Sequence, residues 1–359
     1  MAKRTNFFSF CPFNNPLFQY SIFPLFLFLF LVNVAKAADH LLYFEAQGIM
    51  GYSSELNKAI FYSMNPDAEM QKPSLGFDYI KRFSGEMGDV ATLAIQGRLA
   101  LTVDAENGNR VKLEPQIYNA YLKVKTPGPY LWIGHNRPAL GLSSYFDSHG
   151  QILRTLAIEG LGYDRDWGVG AYKDFSWGDI FTSVTTGSGM PVLFKGGNYM
   201  ATARASYGVL SQDNFNVGFS LGYGKTLDTM GYDLRDEEPR RMTLAGLDFT
   251  LLRNRFEHRF DFLAGKWLDE KTYALFYRLG VNLGQEGRFK IEAQPTYWKL
   301  GDEKNYLLSC CFSVLATSNL TVRLGYFYDY NQKDNRVVLQ LYYYRPVSWL
   351  SKLGEWLKK

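Results

Sequence analysis

The sequence predicts an all-β chain, a transmembrane antiparallel β-barrel of about sixteen strands with a short C-terminal amphipathic helix. Three observations predict it. Apolar and polar residues alternate with period two along most of the chain after Ala37. The N-terminus has the layout of an export signal. Short turns rich in Gly, Pro, Asn, Asp and Ser alternate along the chain with longer loops, as they do in membrane barrels.

The signal comes first. Lys3 and Arg4 give a positive start, Ser21 to Val32 form an apolar run, and Ala35-Lys36-Ala37 matches the small-x-small cleavage pattern. Cleavage there makes residues 1–37 a signal peptide and Ala38 the mature start. After Ala37 no apolar run reaches the roughly 18 residues of a membrane helix. Of the 359 residues, 47% are hydrophobic, with 25 Tyr, 27 Phe and 33 Gly, a mixture that suits strands with one apolar and one wet face. The net charge is +4, but three of those charges are Lys3, Arg4 and Lys36, in a segment without acids. Without that segment 36 basic residues stand against 35 acidic ones, so charge gives no argument for nucleic-acid binding. Cys310 and Cys311 are adjacent on one predicted strand and should point to opposite faces, which does not suit a disulfide.

The alternation is clearest in four runs. Ala91, Leu93, Ile95, Leu99, Leu101 and Val103 share a face opposite Thr92, Gln96, Arg98 and Thr102. Phe215, Val217, Phe219, Leu221 and Tyr223 oppose Asn216, Ser220 and three glycines. Tyr273 to Leu283 and Phe289 to Tyr297 repeat the pattern. Runs of about 10–12 residues cross a bilayer when tilted and exceed the roughly 5–6 of a soluble sandwich strand. Trp132, Trp167, Trp177, Trp267 and Trp298 fall near strand ends, where interfacial aromatic belts are expected.

The strands are predicted at 41–52, 75–84, 90–104, 111–125, 130–137, 166–175, 180–188, 198–210, 215–225, 241–252, 256–267, 272–283, 288–299, 305–316, 320–330 and 336–345. Short inner turns then fall at 85–89, 126–129, 176–179, 211–214, 253–255, 284–287 and 317–319. Longer outer loops fall at 53–74, 138–165, 189–197 and 226–240. Reading 156–162 as a strand would put 189–197 on the turn side, so 138–165 becomes one long third outer loop. A loop of that length usually has a task. Pro346 ends the last strand, so the barrel spans 38–346. Residues 347–359 place Trp349, Leu350, Leu353, Trp356 and Leu357 on one helical face, suited to a membrane interface, a plug or a partner.

A barrel this wide holds an aqueous channel unless something fills it. Strand parity points Arg98, Arg204, Arg259, Arg278, Arg288, Lys290 and Arg323 inward, with Glu114, Asp248, Asp261 and Glu292. Seven bases against four acids predict weak anion preference in a conducting pore; the same charges would serve equally as wall-holding ion pairs. Tyr145, Asp147, His149, Arg154 and Glu159, with Arg137 at the base, are the candidate constriction residues of the third loop. None of the four His residues has metal-ligand spacing, and Ser148-His149 lacks a catalytic context, so no enzyme, metal site or cofactor is expected.

Several motifs resemble the phosphate-selective porin O/P family. They are Asn119-Ala-Tyr121, Leu131 to Gly141 (LWIGHNRPALG), Arg165-Asp-Trp-Gly-Val169, Thr185 to Gly189 (TTGSG), Ala203-Arg204 with Tyr207, Gly218-Phe-Ser220, and Gly246-Leu-Asp-Phe249. Together they cover about residues 115–265. The resemblance implies a trimeric sixteen-stranded channel whose third loop folds inward. Two departures are Gly134-His-Asn-Arg137, where relatives carry a Gly-Gln-Phe-Lys-type stretch, and the continuation past the last strand. No lysine ladder can be placed, so phosphate selectivity does not carry over. The expectation is passive diffusion of small hydrophilic solutes, including anions, by a homotrimer among the lipids of a Gram-negative outer membrane. The alternatives are a scaffold barrel with its lumen filled or threaded by a partner and, third, a lipase-type enzyme.

Overall fold

The computed structural model describes residues 39–60, 72–85, 88–104, 110–146 and 150–347. The signal peptide, Asp147, His149 and residues 348–359 of the expected helix lie outside them. The strands are β1 (Asp39–Ser53), β2 (Lys58–Ile60), β3 (Ser74–Gly85), β4 (Gly88–Asp104), β5 (Arg110–Val124), β6 (Tyr130–Asn136), β7 (Asp166–Phe175), β8 (Gly178–Thr185), β9 (Tyr199–Tyr207), β10 (Phe215–Met230), β11 (Asp233–Arg253), β12 (Phe256–Trp267), β13 (Glu270–Leu283), β14 (Phe289–Leu300), β15 (Glu303–Thr317), β16 (Leu320–Asp329) and β17 (Asp334–Pro346). β2 is a rim strand folded back on the end of β1, pairing Lys58 with Ser53. The other sixteen form a closed antiparallel barrel. Each pairs with its sequence neighbours, β1 reaches β3, and β17 returns to β1 from Tyr43↔Pro346 to Ser53↔Arg336. Closure satisfies every strand edge, the condition for strands inside hydrocarbon.

The wall is inverted relative to a soluble protein. Val217, Phe219, Leu221 and Tyr223 of β10 are 44–62% exposed, while Asn216 and Ser220 on the other face are buried. Lipid takes the place of a core, and the polar residues turn inward. On β15, Cys311 packs inward against Ile152, and its neighbour Cys310 lies on the other face; both are free thiols.

Three expectations change. The predicted outer loop 226–240 is instead a hairpin extending beyond the barrel wall, turning at Gly231 and Tyr232 between β10 and β11. Its backbone keeps ladder pairing in water because two polar strands satisfy each other's donors. The turn after β9 starts earlier than expected and holds one helical turn, Leu210–Asp213, with Asp213 accepting the Val209 N–H. The tryptophan belt is the third change. Trp132, Trp267 and Trp298 face the lumen and pack on buried apolar residues there. Tyrosine and phenylalanine form the belts in their place. At the long-loop end Tyr273, Tyr297, Tyr306 and Tyr330 stand ring to ring, 4.6–6.0 Å between centroids. At the short-turn end Phe175 stacks on Trp177 and Tyr207 meets Phe215.

Candidate functional site: the inward loop and the lumenal wall

The third loop folds into the barrel. Its backbone polar groups would be orphaned there, so the wall must satisfy them. The Ala139 N–H donates to Ser183 of β8 and Thr202 of β9, and the Gly141 N–H to Ser220 of β10. Gly141 has φ +59, and a Cβ there would lie 2.9 Å from the Asp261 carboxylate of β12, so glycine is required for the turn. Further on, Arg323 of β16 donates to the Gly150 carbonyl at 2.6 Å. Arg278 of β13 donates to Gln151 and to the Arg154 carbonyl, which Gln294 of β14 also serves.

The loop's apolar side chains anchor it as well. Leu140, Leu142, Leu156 and Leu161 are buried against Met200, Met242, Leu244, Leu263 and Phe276, which belong to the lumenal faces of β9, β11, β12 and β13. Ile152 and Leu153 pack on Ile49 and Val338. Burying each leucine contributes about 1.5–3 kcal/mol relative to exposure. The loop therefore lies along the wall from β8 round to β17.

At its root Asp166 collects the N–H groups of Trp167, Gly187, Ser188 and Gly189 at 2.7–3.3 Å and the Thr186 hydroxyl at 2.8 Å. Gly187 and Gly189 adopt φ near +70°, which lets the TTGSG segment curl round one carboxylate. Arg165 stacks 4.3 Å over Tyr118 and donates to Asn119 and Asp164. The short motifs that suggested a family are thus parts of one device that seats the loop.

The predicted constriction residues divide. Arg137 donates to the Tyr145 carbonyl, and the Tyr145 hydroxyl meets Thr250. Burial, reinforced by Asp248, pushes the Tyr145 phenol up. Arg154 pairs with Glu159 at 3.4 Å, both largely buried. Burial pushes the Glu159 carboxyl up, against the pull of Arg154.

The predicted lumenal charges group by register. Arg204 bridges Asp248 at 2.7 Å and Asp179 at 3.3 Å, bonds Asn216, and lies 4.5 Å over the Tyr145 ring. Arg259 pairs with Glu257, and Lys290 bridges Glu257 and Glu292 at 3.0 and 2.9 Å. Phe146 of the loop sits between Arg259 and Arg278. Across the lumen Arg98 donates to Gln116, and Glu114 lies 3.9 Å from Lys72. Arg288 departs from expectation. It is exposed in the turn before β14, because the strand starts one residue later than the alternation indicated.

Sequence reasoning missed inward acids, namely Glu45, Asp78, Asp179 and Glu257. Glu257 has the parity of Arg259 and Asp261, and Asp179 that of the inward Ser183, so the signal was present. Asp78 has the parity of the buried Ser74, and Glu45 that of the buried Gln47. A bulge on β5 adds to the difficulty. The register slips between Gln96 and Gly97, so Tyr118 and Asn119 both reach inward partners and parity switches to Tyr121 and Lys123. One string was also overlooked. Gly218-Phe-Ser-Leu-Gly222 spells a nucleophile elbow, but it runs straight through β10 rather than through a strand-to-helix turn. Its Ser220 is fully buried and receives the Gly141 N–H.

Between the loop and the β3–β6 wall lies a cavity of about 1010 Å³ that reaches the short-turn end. Asp78, Gln96, Tyr121, Lys123, Arg137, Tyr145 and Arg204 line it, with Tyr342 and Tyr344 on β17.

No protein-family model matches the chain, and no curated protein matches it. Solved structures do. A loop-deletion mutant of OmpT, an outer membrane protein of Vibrio cholerae, superposes with TM-score 0.62 at 12% identity, over 86% of this chain and all of that one. OmpF of Salmonella typhi in complex with daunomycin gives 0.59 at 10%, over 85% and 97%. An anion-selective porin from Comamonas acidovorans gives 0.57 at 9%, over 87% and 100%. At such identities the likeness is one of fold: the chain has the porin-like fold of outer-membrane β-barrels.

Proposed function

We propose that the barrel is a passive diffusion channel for small hydrophilic solutes in the outer membrane of a Gram-negative bacterium, its bore set by residues 138–165. The observation that carries this is the loop bound along one side of the lumen with a polar cavity left beside it. A passive channel needs no bond chemistry, only width and charge. Homotrimeric assembly and kinship with phosphate-selective porins are part of the same reading, supported by the shared motifs at the loop root. OmpT of Vibrio cholerae is also described in a trimer form.

Weak anion preference is the finer element. Arg278 and Arg323 are held by carbonyls and amides rather than by a directly bonded carboxylate, and so retain positive charge. Glu45, Asp78, Asp179 and Glu257 oppose them. Reversal potentials across a salt gradient measure the balance, and a clear cation preference would sink the anion element.

Purified, refolded protein in planar lipid bilayers should give discrete conductance steps. A scaffold barrel is the second reading, favoured by the apolar seal of the loop on Leu244, Leu263 and Phe276. Absence of steps from protein shown to be folded would select it.

A further inference from the structure

Outside the barrel, at the long-loop end, six basic residues stand on six consecutive strands: Lys225 (β10), Arg241 (β11), Lys266 (β12), Lys271 (β13), Lys299 (β14) and Lys304 (β15). All lie on the outward parity of their strands. The register sets them directly opposite one another in like-charged pairs, Lys225↔Arg241, Lys266↔Lys271 and Lys299↔Lys304. Like charges facing across a ladder destabilise it. Among the described residues none of the six side chains is in an ion pair; the nearest compensation is Asp269, whose carboxylate accepts the backbone N–H of Arg241. An unbalanced arc of this kind is tolerated where an anion completes it.

Their height identifies the anion's setting. On four of these strands a belt tyrosine sits two residues nearer the barrel middle than the cation, in Tyr223/Lys225, Tyr273/Lys271, Tyr297/Lys299 and Tyr306/Lys304. Two residues of strand are about 6.6 Å, so the charges stand at headgroup level just beyond the aromatic belt. Between the cations the wall is hollowed. Gly224, Thr243, Ala264 and Gly265 floor a surface trough of about 940 Å³ walled by Tyr223 and Tyr273. Small side chains there leave room for a chain to lie against the strands, below a row of positive charge.

We propose that this trough is a binding site for a multiply phosphorylated lipid of the outer leaflet, its phosphates on Lys225, Arg241, Lys266, Lys271 and Lys299 and an acyl chain along the glycine floor. The inference rests on the outer-membrane placement of the barrel and is independent of whether it conducts. The ligand is a lipid and not free phosphate, because cations and trough are continuous and the trough is walled by belt aromatics.

The test is native mass spectrometry of the full refolded protein in detergent, titrated with bisphosphorylated lipid A, with its dephosphorylated form and with inorganic phosphate. Wild type should retain the phosphorylated lipid. Lys266→Ser with Lys271→Ser and Lys299→Ser should weaken retention on the order of a hundredfold, from about tenfold or less per surface cation. Lys266→Arg with Lys271→Arg and Lys299→Arg should retain it. Heat-modifiable migration on gels confirms that each variant is folded, and single-channel conductance should be unchanged. Equal retention by the serine variant, equal binding of dephosphorylated lipid A, or displacement by inorganic phosphate would each overturn the proposal.

Discussion

Arg278 shows how much one lumenal side chain does. It is buried, and its guanidinium meets Gln294, Gln151 and the Arg154 carbonyl, joining β13, β14 and the loop. Arg278→Ala should cost about 3 kcal/mol, since hydrogen bonds to a charged donor contribute roughly 1.5–3 kcal/mol and the orphaned carbonyl adds to the loss. The expected readout is a lower unfolding midpoint in denaturant together with noisier, larger conductance steps. An unchanged midpoint would show that the loop is held elsewhere. Asp166 is the second such residue. An amide in its place accepts with one oxygen and turns two donors toward the N–H groups of Gly187 and Gly189. Asp166→Asn should therefore loosen the loop root, read as faster amide exchange across 185–189; protection equal to wild type would remove Asp166 from that role.

At the scale of the element, the third loop behaves as a removable lining. Deleting residues 142–159 should leave the barrel closed, since none of the strand pairings passes through the loop, and should raise conductance severalfold by clearing the bore. A deletion variant that folds and conducts like wild type would show that these residues do not set the bore. The loop also carries a pH dependence. Glu159 is raised by burial, so in the folded loop it ionises later than in a free chain. A raised acid contributes stability below its ordinary value and loses it as pH climbs through the raised one. Loop packing should thus weaken as pH rises through that window, with Arg154 offsetting part of the loss. Exchange protection of residues 150–163, corrected for intrinsic rate, measures it, and Glu159→Gln should flatten the slope. A slope that persists in that variant would assign the titration to another group.

For the whole molecule, closure makes the barrel one cooperative unit, because every strand borders two others. Unfolding should be a single transition seen alike by tyrosine fluorescence and by loss of heat-modifiable migration. Two separated transitions would show that the loop and the wall unfold independently. The aromatic belts bear on the same scale. Trp132 stands between the exposed Leu131 and Ile133, so the alternation itself assigned it to the lumen. Proximity to a strand end was a weaker guide than parity, and parity was right.

Period-two alternation and turn–loop parity are local properties of the chain. They sufficed for a sixteen-stranded barrel, for strands such as β12 and β13 within two residues, and for the identity of the long loop, because a strand's two faces must meet two different solvents whatever its neighbours are. The pairing of Arg204 with Asp248 rather than Asp261, the slip at Tyr118, and the seating of Leu142 and Leu156 on Met242 and Phe276 depend on register and closure across distant strands. Each is a contact between segments that only the closed ring brings together, so the sequence could name the charges and the loop but not which of them touch. The cation arc on the outer rim is of the same kind: its lysines are scattered along 80 residues and become a row only when β10 to β15 lie side by side.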